Sequence, residues 1–177
     1  SPYFDIAEHA SRIAEASTET GIGLTLLPVF YAHSGFGGLA PNDGQRRFIN
    51  SVDSYAKLVG RCAEIINTIA GADLGIAPHS LRAVTREELE HILPLAKNGP
   101  VHIHIAEQVK EVEDCLAFSG RRPVELLIDW VGNVDNWCLI HATHMTAAEA
   151  LSVAKSDSIA GLCPITEANL GDGIFNA

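Results

Sequence analysis

The 177 residues suffice for one domain with a sizeable core, and a composition of 47% hydrophobic and 19% charged residues is typical of a folded globular protein. The net charge of −10 argues against a nucleic-acid binder, because neutralising phosphates requires clustered Lys and Arg. No apolar run is long enough to span a membrane. The four cysteines are far apart and form no C-x-x-C pair, which favours free thiols and a cytoplasmic protein.

Short apolar runs alternate with amphipathic segments along the chain. Asp5, Thr85 and Thr146 each precede a glutamate by three residues, the capping-box spacing that marks a helix start. In chain order, the pattern predicts a helix over 5–20, a strand over 23–30, a long loop over 31–45, a helix over 47–70, a strand over 74–77, a helix over 85–97, a strand over 101–105, helices over 107–118 and 123–130, a strand over 137–140, a helix from 146 and a strand over 158–163.

This alternation predicts an α/β fold with a parallel sheet, either doubly wound or closed into a (β/α)8 barrel. Polar residues gather after the carboxyl ends of at least four consecutive strands. A doubly wound sheet concentrates its site at one switch point, whereas a barrel collects groups from many strand ends, so the barrel is favoured. About five βα units are visible. We therefore expect residues 1–177 to form a single domain that is part of a TIM-type barrel, lacking the first strand or strands and the last.

Two of the predicted strands end in histidine. The strand at 101–105 contains His102 and His104, and Trp137 begins the run that ends at His141. Because side chains alternate along a strand, His102 and His104 share one face and point into the barrel, with His104 nearer the rim. We expect His102 to be a packed interior residue. His104 is either a metal ligand or a hydrogen-bonded core histidine, and the pattern leaves both open.

Three further candidates lie just beyond these strands. Glu107 could reach a water molecule held by a metal, or it could be a helix N-terminal glutamate stabilised by the helix dipole. We expect His141 to face inward like His104. His144 lies beyond it, in the loop before Thr146, and is expected to act indirectly or to lie at the surface.

The remaining candidates follow other strands. His79 and Arg82 come after the strand at 74–77, where Arg82 is a natural clamp for a substrate carboxylate or a partner in a surface salt bridge. Residues 163–173 are expected to form a polar, glycine-punctuated loop that could line a pocket. The sequence contains no G-x-G-x-x-G, Walker or G-x-S-x-G pattern, so neither a phosphate cradle nor a serine nucleophile has support.

These residues resemble the metal-dependent amidohydrolase superfamily in its deaminase branch, and within it the formimidoylglutamate deiminases of histidine degradation. His104-Ile105-Ala106-Glu107 after one strand and His141 after the next carry the superfamily resemblance. The closer resemblance covers nearly the whole chain. Its segments are GIGLTLLPVFY (21–31), SGFGG (34–38), GQRRFIN (44–50), HSLRAV (79–84), VHIHIAEQ (101–108), SGRRP (119–123), HATH (141–144) and TEANLGDGIF (166–175).

The resemblance implies a distorted (β/α)8 barrel that holds one zinc or similar divalent ion, with His104 as the ligand from the fifth barrel strand. Glu107 would carry a proton from the attacking water to the leaving nitrogen, and His141, from the sixth strand, would hydrogen-bond the attacking hydroxide. His79 and Arg82 would hold the glutamate portion of the substrate. The implied reaction, at a carbon–nitrogen bond of a linear amidine, converts N-formimidoyl-L-glutamate to N-formyl-L-glutamate and ammonia.

The sequence departs from the family pattern in two places, since the H-x-H of the first barrel strand and the Asp that ends the eighth are absent. We therefore expect these residues to bind zinc weakly and to be inactive alone. The expected partners are a small-molecule substrate and further copies of the protein in a homo-oligomer, without nucleic acid or membrane. Two alternatives stay open: a related deaminase acting on a purine, pyrimidine or triazine ring, and a non-catalytic α/β binding module.

Overall fold

The computed structural model describes residues 4–176, in which helices and parallel strands alternate. The strands are β1 Thr25–Leu26, β2 Val29–Phe30, β3 Asp73–Leu74, β4 Ala77–Pro78, β5 Val101–Ile105, β6 Trp137–His141 and β7 Ile159–Gly161. The α-helices are α1 Glu8–Thr20, α2 Val52–Ile66, α3 Arg86–Ile92, α4 Val109–Ser119, α5 Pro123–Val131, α6 Ala147–Lys155 and α7 Pro164–Leu170. Two short 3-10 helices span Asp43–Gln45 and Leu93–Ala96.

The strands pair in parallel and in sequence order. β1 pairs with β3, β2 with β4, and β6 lies between β5 and β7. Bridges from Ile76 to Val101 and from Ser80 to His104 join the β3–β4 segment to β5. The result is one series of five neighbouring strand positions with no reversal of order. A doubly wound sheet reverses its order at the switch point, so this series is a section of an α/β barrel, as the sequence predicts.

The register of β5 and β6 separates two faces of the sheet. Val101 pairs with Trp137 and Ile103 with Leu139, and all four side chains are buried in the main hydrophobic core beneath the helices. On the opposite face, His102 and His104 are half-buried. The alternation along β5 therefore delivers the histidines to the face away from the helices, which in a barrel is the interior.

The helices close the core from one side. α2 buries Tyr55, Val59, Cys62 and Ile66, a spacing of three to four residues that places them on one stripe. The hydroxyl of Tyr55 donates to the carbonyl of Pro28 at 2.8 Å, in the gap between β1 and β2. All four cysteines are free, as predicted, and burial raises the pKa of Cys62 to about 11.

The first two predicted strands are each divided into two shorter strands. The strand expected over 23–30 is divided into β1 and β2, because Pro28 has no N–H to donate to a ladder. The strand expected over 74–77 divides into β3 and β4, since Ile76 between them pairs with Val101 instead. The strand expected over 158–163 is confined to β7, three residues long.

Several predicted helix ends are wrong, for identifiable reasons. The helix expected from 47 begins at Val52, since the side chain of Asn50 bonds the carbonyl of Val29 and Ser51 caps α2. The same helix, expected to reach 70, ends at Ile66. Residues 163–173, expected to be a loop, contain α7, whose first turn begins with Pro164.

The capping-box predictions are confirmed at Thr85 and Thr146 and wrong at Asp5. Both threonine side chains accept the backbone N–H three residues on, and the matching glutamates bond back. Asp5 instead accepts the N–H of Ala7, which becomes the N-cap of α1. Within residues 4–176, no helix combines the length and apolarity needed to cross a membrane.

Gly75 lies where the β3–β4 segment closely approaches the start of β5. A Cβ at Gly75 would lie 2.1 Å from the carbonyl oxygen of Pro100, which also accepts the N–H of Ile76. We expect Gly75→Ala to destabilise the protein by about 1–3 kcal/mol, because the added methyl forces backbone apart. Gly60→Ala, in α2 with no atom within 4 Å of its Cβ, is the control and should stabilise by about 0.5–1 kcal/mol. Chemical unfolding of both variants checks this, and equal effects would contradict it.

Candidate active site

A buried carboxylate holds the turn at the carboxyl end of β5. Ala106 has a φ of 50°, a left-handed conformation that few residues other than glycine adopt. The N–H groups of Ala106 and Glu107 donate to the two carboxylate oxygens of Glu111, at 3.0 Å each. Burial raises the pKa of Glu111, and the charge of Arg82 and these two N–H groups oppose that shift. Glu111 thereby fixes the backbone from which Glu107 projects.

Among residues 4–176, one of the two ring nitrogens of His104 has no hydrogen-bond partner. Its Nδ1 lies 2.8 Å from the carbonyl oxygen of His79, on the neighbouring strand segment. Because a carbonyl can only accept, Nδ1 carries the proton and Nε2 keeps its lone pair. The His104 ring lies between the rings of His79 and His141, with centroids at 4.9 and 5.6 Å.

His141 reaches His104 by leaving the strand conformation. In the register, Ile105 is the partner of His141, so a regular strand would turn the His141 side chain toward the helices, away from His104. A φ of 71° at His141 instead brings its ring nearly parallel to that of His104, at an interplanar angle of 25°. His141 and His104 therefore meet, but not because their strands end alike. A positive φ at a residue other than glycine costs of order 1 kcal/mol, and such residues cluster at functional sites.

The His141 ring lies between two carboxylates. Its Nδ1 is 3.0 Å from Oε1 of Glu167, and its Nε2 is 3.3 Å from Oε1 of Glu107. The side chains of His141 and Glu167 are 4% and 8% exposed, and that of Glu107 is 15% exposed. Little water therefore competes for these contacts, and the site can hold or move a proton between Glu107 and Nε2.

The hydrogen bonding of His104 fits a role as one ligand of a divalent metal. Metal-ligating histidines usually donate their second ring N–H to a carbonyl or carboxylate, which is the arrangement of His104 on the carbonyl of His79. A second group of possible ligands, His141, Cys163 and Glu167, has its donor atoms within 4.8 Å of one another. Hydrogen bonds account for that group, because Oε1 of Glu167 already accepts both Nδ1–H of His141 and N–H of Cys163.

His79 lies at one end of the three neighbouring histidine rings, and the charge of Arg82 acts on it. Burial, with the charges of His104 and Arg82, lowers the pKa of His79 to about 4, so its ring is neutral at neutral pH. Within residues 4–176, Nε of Arg82 is buried without a hydrogen-bond partner. Next to His79 is a cavity of about 570 Å³, lined by Val29, Tyr31, Gln45, Phe48 and His79.

The loops after β5, β6 and β7 are tied together at the rim. The side chain of Gln108 donates to Asp172 at 2.9 Å, and Nε2 of His144 donates to the carbonyl of Asp172 at 2.6 Å. His144 is half-buried and joins two loops, which is the indirect position expected from the sequence. His102, expected to be packed in the interior, is half-buried and has its pKa lowered by burial and by His104.

Sequence reasoning missed the carboxylates that hold these groups. Glu111 and Glu167 each lie a short distance past a strand, in segments whose polarity gave no sign of burial. A glutamate on the buried face of α4, beside Val112 and Cys115, was the one available signal for Glu111. No feature of the sequence indicated that Glu167 is buried at the site, because the pattern predicts a loop where α7 lies.

The sequence profile described as "Amidohydrolase family" matches residues 2–177, and the chain belongs to that family. The resemblance predicted from the sequence is therefore confirmed.

Individual relatives narrow the comparison. The chain is 52% identical to the formimidoylglutamate deiminase of Pseudomonas aeruginosa, over 99% of this chain and 39% of that protein. It superposes on the crystal structure of an amidohydrolase from Brucella melitensis with a TM-score of 0.96 and 60% identity, covering 100% of this chain and 40% of that one. An adenosine deaminase from Xanthomonas campestris, solved with bound zinc, has the same fold at a TM-score of 0.76 and 24% identity, covering 93% and 36%. The chain thus spans about two fifths of the length of the relatives it matches.

Glu111→Gln should weaken the turn after β5. An amide offers one acceptor and directs an NH2 group at a backbone N–H, so one buried donor is left unbonded, at a cost of about 1–3 kcal/mol. Glu113→Gln, exposed on the same helix, is the matched control and should change stability by no more than about 0.5 kcal/mol. Urea unfolding measures both, and a Glu111→Gln protein as stable as the control would remove the role given to Glu111.

Proposed function

We propose that the full-length protein hydrolyses N-formimidoyl-L-glutamate to N-formyl-L-glutamate and ammonia. The observation that carries this proposal is the row formed by His104, His141 and Glu107 at the ends of neighbouring strands. It is supported by the 52% identity to a formimidoylglutamate deiminase over almost the whole chain. A non-catalytic binding module has no use for strained backbone that brings two imidazoles and a carboxylate together.

His104 is proposed as one ligand of a divalent metal, zinc or a similar ion, through its free Nε2. When bound, such an ion supplies Lewis acidity, which lowers the pKa of water toward neutrality. The orientation of the ring is set by the bond from Nδ1 to the carbonyl of His79.

Glu107 is proposed as the general base and then the general acid. Its carboxylate takes the two protons of the attacking water in turn, the first as the oxygen attacks and the second as the carbonyl forms, and delivers both to the nitrogen that leaves as ammonia. His141 is the second proton-handling group, because its Nε2 lies 3.3 Å from Glu107 and can hydrogen-bond the attacking oxygen. The carbon–nitrogen double bond of the formimino group is replaced by a carbonyl, and no redox step is needed.

Arg82 and His79 are proposed to hold the glutamate portion of the substrate. The buried Nε of Arg82 lacks a partner within the part of the chain that is described, which suits a carboxylate supplied by a ligand. His79 is neutral at neutral pH and borders the cavity of about 570 Å³ described above. A neutral imidazole can both donate and accept a hydrogen bond.

Ammonia release by the full-length protein tests the proposal. With zinc supplied, we expect turnover of N-formimidoyl-L-glutamate and little or none of adenosine, guanine or a triazine. Those ring compounds represent the alternative deaminases. The proposal would be overturned if only a ring compound released ammonia, or if none of the tested compounds did.

Glu107→Gln should separate proton transfer from metal binding. We expect kcat to fall by about 10²–10⁴-fold, because the amide cannot take a proton, while the metal content stays unchanged. Steady-state kinetics and elemental analysis of the purified variant measure the two quantities. Glu113→Gln is the control and should retain full activity; a Glu107→Gln variant with more than a tenth of the normal kcat would exclude Glu107 as the base.

Arg82→Met distinguishes an amino-acid substrate from a ring substrate. Losing a charged hydrogen bond of about 1.5–3 kcal/mol should raise KM for N-formimidoyl-L-glutamate by roughly 10–100-fold and affect kcat less. Arg86→Met is the control, since Arg86 is exposed and pairs with Glu90. An unchanged KM in Arg82→Met would show that Arg82 is not the carboxylate clamp.

A further inference from the structure

Glu167 contacts His141 from a different part of the chain. It lies on α7, after β7, and is 6% exposed. Its Oε1 accepts the Nδ1–H of His141 at 3.0 Å, across 26 positions of sequence. Neither the proposed reaction nor the family resemblance gives this residue a role.

The carboxylate of Glu167 is itself fixed in place. The same Oε1 accepts the backbone N–H of Cys163 at 2.8 Å, and the N–H of Glu167 donates to the carbonyl of Cys163 at 3.0 Å. The Cys163 N–H, followed by the bond from His141, lowers the pKa of Glu167, so it is ionised at neutral pH. The His141 ring therefore meets a fixed, charged acceptor.

This acceptor determines which ring nitrogen of His141 lies near Glu107. His141 is the last residue of β6, and its φ of 71° means that its ring does not follow the alternation of side chains along the strand. An Nδ1–H bonded to Glu167 leaves Nε2 as the nitrogen that lies 3.3 Å from Glu107. A ring freed from Glu167 could rotate, which would move Nε2 away from Glu107.

We infer that Glu167 is a positioning residue, which accepts a hydrogen bond from Nδ1 of His141 and keeps Nε2 directed at Glu107 and the reacting atoms. Its effect on turnover rests on the proposed function, whereas its effect on the ring does not. Carboxylates that orient a functional histidine in this way typically change activity by about 10–100-fold when they are removed.

Glu125 provides a matched control for the local role of Glu167. Its carboxylate also accepts a backbone N–H at the start of its own helix, that of Arg122 at 3.0 Å, but it is exposed. Substituting Glu125 removes the same kind of helix contact and leaves His141 untouched. A purely structural role for Glu167 would make the two glutamates equivalent apart from burial.

The test uses the full-length protein with zinc and N-formimidoyl-L-glutamate. We expect Glu167→Ala to lower kcat by about 10–100-fold with KM within about three-fold of normal, and Glu125→Ala to leave both within about two-fold. Glu167→Gln keeps an acceptor oxygen and should recover most of the loss. Glu167→Met, of similar length without an acceptor, replaces Glu167→Ala if the smaller side chain prevents folding.

Crystal structures of the same variants supply a readout that needs no substrate. In Glu167→Ala or Glu167→Met, the His141 ring should turn away from Glu107, and in Glu167→Gln it should stay. A ring that stays in place without an acceptor, or a kcat within two-fold of normal, would overturn the inference. A turned ring in a protein that releases no ammonia from N-formimidoyl-L-glutamate would instead reject the proposed function and keep the inference.

Discussion

The two hydrogen bonds that Glu111 accepts at the end of β5 are the contact on which the rest of the site depends. They hold Ala106 in a left-handed conformation that an alanine does not favour, and so fix the exit of the chain from the sheet. From that exit, Glu107 projects toward Nε2 of His141. The N–H of His144 also donates to the carbonyl of Ala106, so the loop after β6 is positioned by the same turn.

The site is assembled from neighbouring strands, and no strand completes it alone. β5 supplies His104 and the turn after it supplies Glu107, the end of β6 supplies His141, and α7 beyond β7 supplies the carboxylate that contacts Nδ1 of His141. Parallel order brings these carboxyl ends to one rim, which is why residues far apart in sequence can meet. Because each group is held by a contact with a neighbouring strand or loop, including the carbonyl of His79 in the unit before β5, the geometry depends on the packing of four consecutive units.

Much of the fold and part of the site could be predicted from the sequence. Strand–helix alternation predicted an α/β fold, the polar residues after several strand ends favoured the barrel, and the period of two along β5 predicted the face on which His104 lies. The turns could not be read in this way. Ala106 and His141 adopt positive φ although neither is glycine, and the buried carboxylate that holds Ala106, that of Glu111, is not evident from the local pattern. Glu167 was out of reach for a similar reason, since only tertiary packing shows that its carboxylate meets a ring 26 positions away.

The carbonyl of His79 orients His104, and this peptide group is independent of the side chain attached to it. The direction of the His104 Nε2 lone pair is therefore encoded in the backbone of the neighbouring strand segment. A change of side chain at position 79, which borders the cavity, leaves the hydrogen bond to this carbonyl in place. The proposed recognition of substrate by His79 and the proposed metal binding by His104 are thus adjacent in space but separable by mutation.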